Sequence, residues 1–309
     1  MSVAPRSRYA ALRRPMLFVI TASLVPAILL AIALIGWDHY AREREREVRD
    51  SLATARAVAA AVDAELSGIE SALFALASSP YLEKDDFAAF HRQASAALKD
   101  QEFANIALLD ETLRQRLNTF RPFGTPLPAE GNPQELRSVF STGKPVVTGL
   151  FVGPVVKRPL IAVGVPLRRD GKVRYVLGAA VTPERLAHIL RAQKIPPGWV
   201  AAIFDATGTI VARTHEPERF VGMKGAAELV REMQASREGV VQARTLEGIP
   251  VVSVFSRSPA SGWSVAIGIP LDYFTRQLVS SLARLFIVMF LMLLVALGLA
   301  FLIARRLTG

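Results

Sequence analysis

The sequence predicts an α+β protein. A long N-terminal helix leads into two tandem modules, each an antiparallel sheet with helices on one side, and two transmembrane helices flank the whole. Three observations carry this: two uncharged apolar runs near the ends, a heptad-like stripe after the first run, and an internal repeat of strand-and-turn segments.

The apolar runs come first. Residues 15–37 (PMLFVITASLVPAILLAIALIGW) and 285–304 (LFIVMFLMLLVALGLAFLIA) hold no charge. Each has the ~20 apolar residues that a helix needs to cross ~30 Å of hydrocarbon. The first run is too long for a signal-peptide core and no small-x-small site closes it, so an uncleaved anchor is expected. Trp37 ends it and Tyr40 follows it as interfacial aromatics, and Pro26 lies mid-span. Arg6, Arg8, Arg13 and Arg14 precede the first run, and Arg305 and Arg306 follow the second. Arginine-rich flanks stay in the cytoplasm, so residues 1–14 read as a cytoplasmic tail, 305–309 as the start of a cytoplasmic linker, and about 41–284 as the outside part. These tail arginines supply six of the ten net positive charges, so the basic balance records topology and no nucleic-acid partner is expected. There is no cysteine, which removes disulfides, thiol catalysis and Cys-bound metals.

Residues 41–76 read as one long stalk helix. Val48, Leu52, Ala55, Ala59, Val62, Leu66, Ile69 and Leu73 recur at alternating steps of four and three, a stripe along one helix face. Its membrane-proximal half is expected to pair in a homodimer, together with the transmembrane helices, and its distal half to cover the domain.

A helix is expected at 84–99, and strands at 103–110 and 114–120 around an Asp110-Glu111-Thr112 turn. The loop at 121–132 is rich in Pro and Gly, and Pro133 opens a short helix over 133–140. Strands are expected at 145–151, 159–167 and 173–181, the last two joined by an Arg169-Asp170-Gly171 turn. Thr182 caps a helix over 182–190. The order then recurs: strands at 199–204 and 209–214, a helix at 225–236, and strands at 240–245, 250–256 and 263–269. Helix is expected again from Leu271 into the second span.

Direct comparison makes this a repeat. IALLDETLRQRLNT (106–119) aligns with AAIFDATGTIVART (201–214), each with apolar residues, an Asp opening a turn and a polar return ending in Thr. PLIAVGVPLRRDGKVRYVLGAAVTPERL and PVVSVFSRSPASGWSVAIGIPLDYF match in the same way. The modules are expected at about 78–185 and 190–275.

In these segments (NIALLDETLRQRLNT, PVVTGLFVGPVVKRPLIAVGVPL, VAAIFDATGTIVART, GWSVAIGIPLDYF) and in their order, the chain resembles double Cache receptors over about residues 15–306. The resemblance implies PAS-like modules, a location in the bacterial inner membrane with the middle of the chain periplasmic, and a small-molecule ligand in the membrane-distal module. It also implies signalling to a cytoplasmic output domain, in cis or in trans. That domain is expected to be a histidine kinase, with a chemoreceptor or cyclic-dinucleotide enzyme as the alternatives; a module recognising a periplasmic partner protein is another. Amino-acid-binding members carry a Tyr/Arg/Trp-Tyr cluster, and LNTFRPFGTP (117–126) offers Arg121 without tryptophan or tyrosine.

No catalytic constellation is expected. His39, His91, His188 and His215 stand apart from one another and from acidic residues at ligand spacing, no phosphate loop or nucleophile elbow occurs, and no cofactor is expected. The candidate ligand residues are Arg121, between Phe120 and Phe123 at a strand end, with Asn118 and Thr119 on that strand and Phe151, Arg158 and Tyr175 opposite. A guanidinium there would clamp a carboxylate or another anion.

Overall fold

The computed structural model describes residues 8–98 and 105–308; side chains of 8–33, and of much of the C-terminal helix, lie outside the description. The elements are α1 (Arg8–Ala77), α2 (Pro80–Glu83), α3 (Phe87–Ala97), β1 (Asn105–Leu109), β2 (Gln115–Asn118), a 3-10 turn (Gln134–Leu136), α4 (Arg137–Thr142), β3 (Val146–Val147), β4 (Phe151–Val152), β5 (Pro159–Arg169), β6 (Lys172–Val181), α5 (Pro183–Ala192), β7 (Val200–Phe204), β8 (Ile210–Arg213), α6 (Pro217–Phe220), α7 (Ala227–Ala235), β9 (Glu238–Arg244), β10 (Pro250–Arg257), β11 (Ser264–Pro270) and α8 (Leu271–Thr308). A long helix and two antiparallel PAS-like sheets are therefore present. Among the described residues no helix is long and apolar enough to cross a membrane, and the span read at 15–37 lies largely outside the described side chains.

The two sheets share one strand order. The first runs β2-β1-β6-β5-β3, with β4 paired to β5, and the second runs β8-β7-β11-β10-β9. The repeat holds to the register. Ala107 faces Asn118 and the pairing slips between Leu108 and Leu109; Ala202 faces Arg213 and slips between Ile203 and Phe204. It holds to the hydrogen bond as well. Asp110 Oδ1 accepts from the backbone and hydroxyl of Thr112 at 2.9 and 2.6 Å. Asp205 Oδ1 accepts from the same groups of Thr207 at 2.9 and 2.7 Å. These are Asx turns, in which a carboxylate oxygen replaces a backbone carbonyl. Burial opposes ionisation of Asp110, but the bonds from Thr112 and Arg114 and the charge of Arg116 outweigh it and hold its carboxyl below the usual range.

The central strands of each sheet are buried on both faces. In the first, Ala107, Leu109, Leu136, Val139 and Val176 cluster on the side of α4; in the second, Phe204, Ile210, Leu229, Met233 and Phe255 cluster on the side of α7. Strand residues alternate between faces, so Ile106 and Leu108 point the other way and are buried too. The stripe on α1 is buried from Ala55 to Leu73, each large apolar member contributing ~1.5–3 kcal/mol. Val48 and Leu52 are half-buried. Polar ties fix α1 at three points. Arg56 forks onto Glu238 with two bonds of 2.6 Å, Asp63 accepts from Ser258 and Ser261 at 2.5 and 2.8 Å, and Glu65 pairs with Arg185.

Several expectations change in detail, among them the helix expected at 133–140, which is a 3-10 turn (Gln134–Leu136) followed by α4 (Arg137–Thr142). The strand expected at 145–151 is two short strands, because at Thr148 the N–H still donates to the Ala162 carbonyl but the hydroxyl, not the backbone carbonyl, accepts the Ala162 N–H and in turn donates to the Gly149 carbonyl, which ends the regular pairing. The helix expected at 84–99 begins after a break at Asp85, whose φ is 54°, and residues 99–104 lie outside the described chain. The four-residue α6 was not expected, since PERF is too short to show periodicity.

Candidate functional site

The cleft in the first module exists because central strands carry small residues. Ala107 pairs with Gly178, and Asn105 and Ala162 both pair with Ala180, so one face of the sheet is stripped of bulk under the loop at 151–156. About 450 Å³ of empty space, open to solvent, lies between that face, Phe120, Leu136, Phe151 and Pro154.

Its floor is polar at one end. Asn105 donates to Asn118 (2.8 Å), Asn118 to Gln115 (2.8 Å), Gln115 to Asn132 (2.7 Å) and Asn132 to the Leu113 carbonyl (2.8 Å). Asn118 Oδ1 also accepts the Phe120 N–H at 2.9 Å. This chain of amides holds the hairpin β1–β2 to the following loop. Its members are spent largely on one another; the cleft they close carries no net charge, and its open surface is mainly apolar.

The residues singled out from the sequence separate into two groups. Asn118, Phe120 and Phe151 line the cleft. The other five do not. Thr119 Oγ1 accepts the Ile106 N–H at 2.9 Å and belongs to the ladder. Arg121 is exposed, and its carbonyl accepts from His91 Nε2 at 2.9 Å. Phe123 is 47% exposed and lies beside the His91 ring. Arg158 is exposed. Tyr175 is buried with its ring edge-on to Phe87 at 5.7 Å. Sequence reasoning missed Asn105, Gln115 and Asn132, which look like ordinary strand and loop amides until the hairpin pairs them.

The second module has a cleft at the corresponding place, of about 460 Å³ and likewise open to solvent. Arg213 stands there where Asn118 stands in the first. It is 5% exposed. Its Nη2 lies 2.8 Å from both Glu247 oxygens, and its guanidinium carbon lies 4.2 Å from the Phe220 ring centre, close enough for cation–π attraction. Burial opposes ionisation of Glu247, and hydrogen bonds from Arg213 and Thr245 more than offset it, holding the carboxyl below its ordinary range. An arginine near a strand end reads as a solvated residue; the signal that finds Arg213 is its alignment with Asn118 in the repeat. Among the described residues no group of three His, Asp or Glu side chains could hold a metal ion.

No family model matches the chain, and no curated protein matches it. Solved structures do. The extracellular domain of the putative histidine kinase rpHK1S-Z16 superposes with a TM-score of 0.57 at 15% identity, covering 75% of this chain and 96% of that one. Methyl-accepting chemotaxis protein X gives 0.60 at 16%, covering 74% and 99%. The ligand-binding domain of the Pseudomonas aeruginosa amino acid chemoreceptor PctB, in complex with L-Arg, gives 0.53 at 19%, covering 75% and 95%. At these identities the likeness is one of fold: a long helix carrying two PAS-like sheets.

Proposed function

We propose that this chain, double-Cache-like in its fold, is the sensory part of a two-pass membrane receptor that binds a small neutral solute in the cleft of its first module. In this reading the modules span about 78–185 and 190–275, the helices at 15–37 and 285–304 cross the inner membrane, and both termini are cytoplasmic. The exposed apolar side chains of α8 support the second span: Phe286, Ile287, Phe290, Leu291 and Val295 are each more than half exposed, a surface suited to lipid and costly in water. Half-buried Val48 and Leu52 continue the buried stripe toward the membrane and suit pairing with a second copy.

The observation that carries the ligand assignment is the cleft, mainly apolar with a buried amide network at one end, in a fold shared with ligand-bound receptor domains. Asn118, Phe120 and Phe151 contact the solute in this proposal. The mainly apolar, uncharged lining suits a neutral solute with an apolar body, while the exposed position of Arg121 gives an anion no clamp there. Three of the similar solved domains that hold an amino acid belong to chemoreceptors, which favours a chemoreceptor-type output over a histidine kinase.

The test is a thermal-shift and calorimetric screen of the full chain in detergent against amino acids, amines, amides and carboxylates. A bound solute is expected to lose affinity in Asn118→Ala and in Gly178→Val. The added side chain at 178 meets nothing closer than 3.7 Å at its Cβ and fills the cleft without forcing the backbone. Silence across the panel in folded protein, or binding indifferent to both changes, would sink the proposal.

A further inference from the structure

We infer that the solute taken by the first cleft carries a hydrogen-bond donor, a hydroxyl or a primary amide on an apolar body, and that Asn105 Oδ1 is the atom that selects it. This rests on the reading that the first cleft is the ligand site.

The amide chain has a direction, and the backbone sets it. Asn132 donates to the Leu113 carbonyl, so its own oxygen faces Gln115. Gln115 therefore donates to Asn132 and accepts from Asn118. Asn118 Oδ1 takes the Phe120 N–H and the Asn105 Nδ2 hydrogen together, at 2.9 and 2.8 Å. With a backbone carbonyl at one end and a backbone N–H at the other, no member can be flipped without setting like against like. The chain ends at Asn105. One N–H of that amide is engaged, and its oxygen accepts from no group among the described residues.

That oxygen opens on the cleft. Asn105 starts β1 on the same face as Ala107 and Leu109, and all three line the cleft. Asn105 is only 4% exposed. Among the described residues, the unpartnered polar atoms sealed from solvent are Trp199 Nε1, Arg213 Nη1 and Glu247 Oε1; Asn105 Oδ1 is not one of them. Its counterpart in the repeat is Val200, on a strand otherwise built alike. The second module therefore shows that this strand position does not need an amide to fold.

The surroundings set the ligand class. Ala162, Gly178 and Ala180 leave the room, Phe120, Phe151 and Leu160 give apolar walls, and no charged side chain lines the cleft. An ammonium would lack a counter-charge there. A carboxylate would bring only acceptors to an acceptor. A neutral solute without a donor would cover Oδ1 and leave it unsatisfied. A hydroxyl serves that oxygen. A primary amide serves it too, and returns an acceptor to the second Nδ2 hydrogen.

The experiment compares pairs of matched shape, one member with a donor and one without. Cyclohexanol is set against cyclohexanone, and isobutyramide against methyl isopropyl ketone. Each is titrated into the full chain in detergent, following heat and melting temperature, with Gly178→Val protein in the same detergent as the control for partition into micelles. At least one donor-bearing probe is expected to bind saturably, about tenfold or more tighter than its ketone, the effect of one buried acceptor met or stranded. Asn105→Leu keeps the size of the side chain and removes the oxygen, while the Phe120 N–H still holds Asn118. In that variant the two members of a pair are expected to bind alike, through loss of the donor-bearing one; a general loosening of the module would weaken both equally and keep their ratio. If Asn105→Leu does not fold, the comparison on wild-type protein decides alone. Ketones that match their partners on wild-type protein, or a ratio unchanged in folded Asn105→Leu, would overturn this inference and leave the cleft as a ligand site. Binding that survives Gly178→Val unchanged would overturn both. If none of the four probes binds folded wild-type protein, the donor-bearing class is overturned, and the wider screen judges the cleft separately.

Discussion

Asp205 Oδ2 accepts the backbone N–H of Leu150 at 3.2 Å, so a turn residue of the second sheet holds a loop of the first. Its repeat counterpart, Asp110, spends the same oxygen on Arg116, 3.0 Å away in its own hairpin. One oxygen of each carboxylate builds the turn, and the other is free to diverge.

Asp205→Asn keeps an oxygen for the turn and turns an amide N–H toward Leu150. It is expected to cost ~1–3 kcal/mol, the range for leaving a buried donor unsatisfied. Asp110→Asn loses a pair whose arginine is 57% exposed, and is expected to cost under ~1 kcal/mol. Urea unfolding of the two variants, with limited proteolysis around residue 150, checks the order.

The hairpins also differ at one strained position. Leu113 sits at φ 61° where the second hairpin has Gly208 at φ 80°. Leu113 tolerates the left-handed region because its side chain is 4% exposed in the core beside α4. Leu113→Gly relieves ~1–2 kcal/mol of backbone strain but loses a buried leucine worth ~2–5 kcal/mol, so net destabilisation is expected. Gly208→Ala meets Val230 at 2.7 Å in a conformation alanine dislikes, and is expected to destabilise by more than ~1 kcal/mol. Thermal melts of both variants settle the signs.

Stability is expected to be flat from about pH 5 to 9 and to fall at both ends. Asp110, Glu238 and Glu247 have carboxyls held below their ordinary range. Such groups stabilise the fold above the unfolded pKa, and that contribution is lost as pH falls through the lower folded one. For Glu238 the main cause is the hydrogen bond from Arg56, so Arg56→Ala should make the acid limb shallower. Tyr273 is shifted the other way, raised by burial and by its bond to Glu47; its contribution is present below the ordinary phenol pKa and lost as pH rises through the higher folded one. Melting temperatures across pH 3–11 test this, and an acid limb unchanged in Arg56→Ala would remove Glu238 as a cause.

Leu66→Ala on α1 is expected to cost ~2–5 kcal/mol, because Leu66 is 3% exposed in the middle of the buried stripe. Asp63→Ala, which frees the hydroxyls of Ser258 and Ser261, is expected to cost ~1–3 kcal/mol and to raise hydrogen exchange in the turn between β10 and β11. A silent Leu66→Ala would mean that α1 is not part of the core.

Much of this architecture was legible in the sequence because it is periodic or repeated. The stripe from Ala55 to Leu73 announced a buried helix face, and the match of 106–119 to 201–214 became the same register, the same bulge and the same Asx turn. The clefts were not legible in that way. They depend on Ala107 meeting Gly178 across a strand pair distant in sequence, and on which side of a hairpin an amide or a guanidinium falls. Arg121 shows the limit: its neighbours pointed to a pocket, but the chain turns after Asn118 and carries its side chain into solvent. The split at Thr148 was hidden for a related reason, since a threonine within a run of valines reads as one more strand residue.

The way the sheets end bears on aggregation. The first is bounded by β2, of four residues, and β3, of two. The second is bounded by β8, of four, and by β9, whose outward positions include Glu238, Gln242 and Arg244. Short or charged borders make poor templates for adding a foreign strand. Copies crowded together therefore have little incentive to fuse edge to edge into fibrils, and self-association is left to helix faces.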